Sequence, residues 1–463
     1  MSAPSSDPAV LSPSIARPAP LLDSAGRRAL VAVLLAVTLA TLDTAIANTA
    51  LPTIAAELQA APAASIWVIN AYQLAVAATL LPFAALGDLH GPRRVFLGGL
   101  VFFTLASLGC ALAPSLPLLA AARALQGAGA GALMSVNIAL IRQIYPPDRL
   151  GRGVGMNALV VGIGFAVGPS VASLVLALAS WPWLFAINVP LGLVAFAFAS
   201  QSLPRSAPRG HRFDPLTALF TSTTFAALIF GLACATQREP APLVAATLAV
   251  ALVAGALLLR RQAGHPAPML PVDLLRRPVF ALSVVTALAS FSTQGLAFVS
   301  LPFFFQGTLH RNAVDTGLLM TPWPLVVALA APFAGRLSDR YPPGLLGGIG
   351  LAILAVGMAS LALLPAQPAV ADIVWRMMVC GAGFGFFQSP NLKALMSSAP
   401  PERSGGASGM IAIARMIGQT TGAALVALCF GLAGAHGPIW ALALGAGFAA
   451  AGSLASSARL FAR

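Results

Sequence analysis

Charge is scarce in this chain. Only 8% of its 463 residues are charged, while 58% are hydrophobic. A soluble domain carries about 25% charged residues, so a water-soluble fold is excluded and an all-helical integral membrane protein is indicated. Cysteine is scarce as well. The four present (Cys110, Cys234, Cys380, Cys429) are far apart and in or near apolar runs, with no metal or redox spacing. The five histidines all fall in or near loops, which leaves no histidine relay or metal site within the apolar runs. No nucleotide motif and no nucleophile–base cluster is present. The expectation is a non-enzymatic protein without a cofactor, with a proton gradient as its energy source.

The net charge of +13 does not mark a nucleic-acid binder, because the basic residues fall in short loops between apolar runs. Residues 1–28 are rich in Pro, Ser and Ala and read as a disordered tail without a signal peptide. A helix needs about 20 apolar residues to cross a bilayer. Fourteen candidate spans follow, at 29–50, 66–86, 95–113, 117–143, 153–177, 182–203, 214–234, 242–260, 279–305, 314–337, 344–364, 370–397, 404–431 and 436–458. With the N-terminus in the cytoplasm, 21 of the 26 basic residues fall in cytoplasmic segments and only Arg238 and Arg311 fall outside. That bias places both termini in the cytoplasm and the protein in the inner membrane.

An internal repeat divides the chain. YPPDRLGRGVGM (145–156) and APPERSGGASGM (399–410) share Pro, Arg, Gly and Met positions at an offset of 254. Gly127, Gly129, Gly131 and Asn137 recur as Gly381, Gly383, Gly385 and Asn391 at the same offset. Leu51-Pro52 recurs as Leu301-Pro302, at an offset of 250. Two six-span units are expected, at 29–203 and 279–458, with an inserted linker at 204–278 carrying two spans and a short cytoplasmic end at 459–463. An even number of spans separates them, so they are parallel repeats that place a substrate site near the midplane between halves.

Asp43 is the carboxylate set deepest in an apolar span. An acid there costs roughly 2.5–3.5 kcal/mol on insertion scales and marks a proton or substrate path, or else a packing pair. Arg123 lies at a matching depth, both about 10 Å below the outer surface at 1.5 Å per residue. Burial favours a protonated carboxyl and a nearby arginine favours the ionised one. The pair is therefore the candidate proton-coupling site. The repeat partner of Asp43 is Thr293, so the second half lacks the acid. Arg376 has Asp372 four residues before it, a helical ion pair. Arg415 has no partner evident in the sequence. Cavity candidates are Thr41, Asn48, Tyr72, Gln73, Asn137, Gln294, Gln388, Asn391 and Arg415. Each polar one is also explained by a helix–helix hydrogen bond. Phe291, Phe298 and Met320 fit a cavity wall or, more simply, core packing. Three intramembrane arginines disfavour multivalent cations as substrates.

Several stretches resemble the fourteen-span drug:proton antiporters of the major facilitator superfamily. They are LDTAIANTALPTIAAEL (42–58), WVINAYQLAVAATLLPF (67–83), ARALQGAGAGAL (122–133) and WPWLFAINVPLG (181–192). AALGDLHGPRR (84–94) resembles the loop between spans two and three, with Asp88, Gly91, Arg93 and Arg94 in place. GRLSDRYPP (335–343) is its second copy and keeps Gly335, Asp339 and Arg340. GFAVGPSVAS (164–173) resembles the fifth-span antiporter motif through Gly164, Gly168 and Pro169. The resemblance implies a major facilitator fold, a conformational latch at the two loops, and export of amphipathic small molecules by alternating access. Its departures (Ala84, Leu89, Pro92) imply a weakened first latch. Partners expected are the bilayer, a small amphipathic substrate and protons. An adaptor or outer-membrane partner is not specified by the sequence. A dedicated exporter of one metabolite or antibiotic, a non-transporting sensor or assembly partner, and an importer are the rival readings.

Overall fold

The computed structural model describes residues 24–145, 150–204, 214–236, 240–262, 272–399 and 404–461, all-helical with no strand among them. The first half comprises α1 (Ser24–Glu57), α2 (Pro62–Ser65), α3 (Trp67–His90), α4 (Pro92–Ala111), α5 (Leu116–Ile144), α6 (Leu150–Leu178), α7 (Trp183–Ala186) and α8 (Asn188–Ser202). The insert contributes α9 (Pro215–Thr236) and α10 (Ala241–Gln262). The second half comprises α11 (Pro278–Phe303), α12 (Ala313–Met320), α13 (Pro322–Leu337), α14 (Pro343–Ala362), α15 (Val370–Ser397), α16 (Ser404–Ala433) and α17 (Gly437–Ala458). Helices are what a chain this apolar must form, since they satisfy every backbone group within the segment. Proline opens α4, α11, α13 and α14, where its missing N–H costs nothing.

Two boundaries differ from the sequence expectation. The first helix begins at Ser24, so residues 24–28 belong to α1 rather than to a tail, and residues 1–23 lie outside the described residues. Twelve stretches of the described residues, not fourteen, are long and apolar enough to cross a membrane. The difference arises at two places. One stretch, Met410–Ala458, runs through both α16 and α17, and the apolar part counted for α9 is only Pro215–Gly231. The prolines and arginines of the 146–149 and 400–403 repeat, and Arg238 of the insert, lie outside the described residues.

Within the described residues the two halves share one packing scheme. The α3–α5, α4–α5 and α1–α6 contacts of the first half reappear as α13–α15, α14–α15 and α11–α16. The recurrent glycines explain the tightness. A side chain on Gly127 would strike the Tyr72 carbonyl, and one on Gly381 would strike the Trp323 carbonyl. Gly129 and Gly383 press in the same way on Phe103 and Leu354. Phe291, Phe298 and Met320 are buried in the second half's core, where Phe298 packs edge-on to Trp323 at 5.5 Å.

Side-chain hydrogen bonds tie the halves together. Ser170 and Thr321 hydroxyls meet at 2.8 Å, Ser173 donates to the Ala313 carbonyl at 3.2 Å, and Thr53 to Gln306 at 3.4 Å. Thr420 donates to Gln73 Oε1 at 3.4 Å. These ties lie toward the end of the bundle where α1 terminates. Among the described residues, every ion pair is internal to one half or to the insert.

The insert is a hairpin. α9 lies on α3 and α16, while α10 packs mainly on α9. Asp214 caps α9 by accepting from the Thr217 backbone N–H at 3.2 Å, and Arg261 at the end of α10 grips the same carboxylate at 2.9 and 3.0 Å.

A buried carboxylate cluster as candidate functional site

α1 carries Asp43 and α5 carries Arg123, each only 1% exposed, and their side chains meet at 2.5 Å. Arg123 Nη1 also donates to Gln126 Oε1 at 2.5 Å, and its Nε donates to the Val68 carbonyl at 3.2 Å. The guanidinium lies over the Tyr72 ring at 4.2 Å and near the Phe185 ring at 5.5 Å. The second carboxylate oxygen, Oδ1, accepts from Gln126 Nε2 at 2.9 Å and from Asn188 Nδ2 at 2.7 Å. Gln126 Nε2 is shared with Ser107 Oγ at 2.8 Å. Four helices, α1, α4, α5 and α8, thus converge on one acid.

This arrangement surrounds the Asp43 carboxyl with hydrogen-bond donors. Both oxygens are occupied by donors, and one faces a guanidinium. The pair ties α1 to α5.

Gly164 and Gly168 of α6 press on α1. A side chain on Gly164 would overlap the Thr41 hydroxyl, and one on Gly168 would overlap Ala45. These two contacts bracket Asp43 on α1. Pro169 lies one residue on, in the stretch of α6 that meets α12 and α13 of the second half. One helix, α6, touches both the acid-bearing helix and the opposite half.

The remaining expected residues are dispersed. Asn137 donates to Asn157 at 2.8 Å, a tie between α5 and α6. Asn391 bonds the Ser283 carbonyl at 3.2 Å and accepts from Arg459 at 2.8 Å, joining α11, α15 and the end of α17. Gln294 accepts from Gln419 at 2.8 Å. Thr41 donates to its own helix at Val37. Gln388 is exposed, and Asn48 is buried with its side-chain oxygen unpaired. Arg376 pairs with Asp372 at 3.1 Å and caps the Ser360 carbonyl. Thr41, Tyr72, Gln73 and Arg415 share a small cavity of about 30 Å³ between the halves. A larger one, about 480 Å³, is an apolar groove between α3 and α4, with His90 and Arg94 among its lining residues, and it does not include the Asp43 cluster.

At the loops, Gly91 takes φ +89° between α3 and α4, a conformation suited to glycine. Arg93 donates to the Ser200 carbonyl at 2.5 Å, Asp88 makes no ion pair among the described residues, and Arg94 is exposed. In the second copy Asp339 pairs with Lys393, the chain's one lysine, at 2.5 Å rather than with Arg340. Gly335 lies at ordinary contact from Ser389.

Sequence reasoning missed Gln126, Asn188 and Ser107. Two of them were in view: Gln126 lies inside ARALQGAGAGAL and Asn188 inside WPWLFAINVPLG. The repeat comparison also held a signal. Arg123 and Gln126 correspond to Met377 and Cys380, and Ser107 to Met358, so the polar cluster belongs to one half only.

A six-helix repeat around an intramembrane acid defines a membrane transporter class, and the comparisons agree. The Major Facilitator Superfamily pattern matches residues 33–423, and the chain belongs to that superfamily. It is 52% identical over 421 residues to the uncharacterized transporter YebQ of Escherichia coli (strain K12), covering 90% of this chain and 92% of that one. It is 29% identical to the riboflavin transporter RibZ of Clostridioides difficile (strain 630), covering 87% of each. It is also 29% identical to the multidrug efflux pump LfrA of Mycolicibacterium smegmatis, covering 87% of this chain and 80% of the pump. A crystal structure of a POT family transporter with a thioalcohol-conjugated peptide shares the fold, with a TM-score of 0.74 at 14% identity over 92% of this chain and 95% of that one.

Proposed function

We propose that this transporter exports amphipathic small molecules from the cytoplasm in exchange for protons, as a fourteen-span antiporter of the inner membrane with both termini in the cytoplasm. The observation that carries the reading is the Asp43–Arg123 pair, wholly buried and held at 2.5 Å. An acid that must leave its arginine to take a proton links protonation to helix position. Substrate that binds better to one position then opposes or promotes protonation, which is antiport by coupled equilibria. Similarity to LfrA supports efflux, and the bracketing of Asp43 by Gly164 and Gly168 supports coupling through α6.

The test is substrate-induced proton movement in liposomes, with wild type beside Asp43→Asn. Proton flux triggered by several amphiphiles and lost in Asp43→Asn is expected. Full coupled flux in Asp43→Asn would remove Asp43 from the mechanism. Similarity to RibZ, a riboflavin transporter, favours a second reading, a transporter dedicated to one metabolite, and a competition screen with a single effective compound would select it.

A further inference from the structure

Arg415 is the polar group that the proton-exchange chemistry does not use. It lies on α16 in the second half and lines the small cavity together with Thr41, Thr44, Tyr72, Gln73 and Phe165 of the first half. Its side chain is half-buried, and among the described residues it has no hydrogen bond and no ion pair. Most of the nearby groups are already engaged, the exception being the buried Tyr72 hydroxyl, which has no hydrogen-bond partner. Asp43 is held by Arg123, Gln126 and Asn188. Gln73 Oε1 accepts from Thr420, and the Thr41 and Thr44 hydroxyls donate to their own helix.

The electrostatics follow. The Asp43–Arg123 pair is neutral as a unit, so Arg415 leaves the cavity with one uncompensated positive charge. A buried cation without a partner is costly, and it is normally paired or coordinated. Arg376, by contrast, has its own acid four residues away. The cavity of about 30 Å³ admits water but no substrate, so binding belongs to a conformer in which the halves have moved apart.

We propose that Arg415 is the anion-binding residue of the transport site and that the substrate is an amphiphile bearing a single carboxylate, sulfonate or phenolate. A planar guanidinium receives such a group with two parallel hydrogen bonds. The site disfavours a cationic drug, which would face Arg415 across the cavity. This inference rests on the reading of the cavity as the transport site. It also fixes the charge moved. Export of one anion against one proton carries two positive charges inward, so an inside-negative potential accelerates it, whereas exchange of a monovalent cation for a proton is electroneutral.

The experiment is equilibrium binding to the full chain in lipid nanodiscs, with no ion gradient, using two xanthene dye esters on one ring system: fluorescein ethyl ester as its single phenolate and cationic rhodamine 6G. Wild type is expected to bind the anion at least about tenfold more tightly, and Arg415→Gln to erase most of that preference. Arg415→Lys retains charge and is expected to retain a large part of it. Arg415→Gln is also expected to melt no lower than wild type, because it removes an unpaired charge. Preference for the cation, equal binding, binding of neither dye, or an unchanged preference in Arg415→Gln would each overturn the proposal. The wild-type comparison stands even if a variant does not fold. Because no gradient is present, the result is separate from the Asp43→Asn flux test: anion binding with uncoupled flux would sink proton antiport and leave this inference intact.

Discussion

Asn188 Nδ2 stands 2.7 Å from Asp43 Oδ1, across 145 residues of chain, at the first position of α8. A short helix that begins on a carboxylate is anchored by it. Hydrogen bonds to charged groups contribute about 1.5–3 kcal/mol. Asn188→Leu is expected to lower the melting temperature and to slow coupled flux, while Asn188→Ser at the same site loses less. Unchanged melting and flux in Asn188→Leu would show that Gln126 and Arg123 suffice to hold the acid.

The Asp43–Arg123 pair should behave as a unit. Asp43→Asn strands a buried guanidinium and Arg123→Gln strands a buried carboxylate, each at a cost of about 3–5 kcal/mol. The double variant removes both charges and should recover much of that stability without recovering proton coupling. A thermodynamic cycle from denaturation of the four proteins measures it, and strict additivity would argue against direct pairing.

The contact between α1 and α6 leaves no room for a side chain at Gly168. Gly168→Val should force the helices apart and abolish flux, with a lower melting temperature. Gly162, on the same helix, has open space around it, so Gly162→Ala should be neutral or stabilising by up to about 1 kcal/mol. Equal effects of the two changes would mean that the motif's glycines serve the helix rather than its neighbour.

The hairpin insert carries a pH signature. The Arg261 guanidinium, with help from Thr217, holds the Asp214 carboxyl well below the usual carboxylate range. A depressed carboxyl contributes stability that is present above its unfolded value, about 3.9, and is lost as pH falls below it. The pair is largely exposed, so the effect is small and salt-sensitive. Asp214→Asn should lower the melting temperature slightly at neutral pH, and the difference should narrow in acid and in high salt.

Composition and periodicity reveal elements more readily than constellations. The helices follow from apolar runs, and the parallel repeat follows from glycines whose close contacts recur in both halves. Asp43 and Arg123 stood out because charge in an apolar span is conspicuous. Asn188, Gln126 and Ser107 did not, because uncharged amides and hydroxyls are ordinary in such helices and their role depends on four helices meeting. Asn137 and Asn391, cavity candidates that a helix–helix hydrogen bond also explains, tie neighbouring helices. The latch loops were legible as loops, but Lys393 as the partner of Asp339 comes from α15 and no local pattern points to it.

The seam between the halves is closed by hydroxyls and amides, with ion pairs confined to one side or the other among the described residues. Neutral hydrogen bonds are indifferent to salt and nearly indifferent to acidity. Among the described residues the seam therefore holds no ion pair, and ionic strength should reach it only through Arg415, the cation that lines the cavity between the halves.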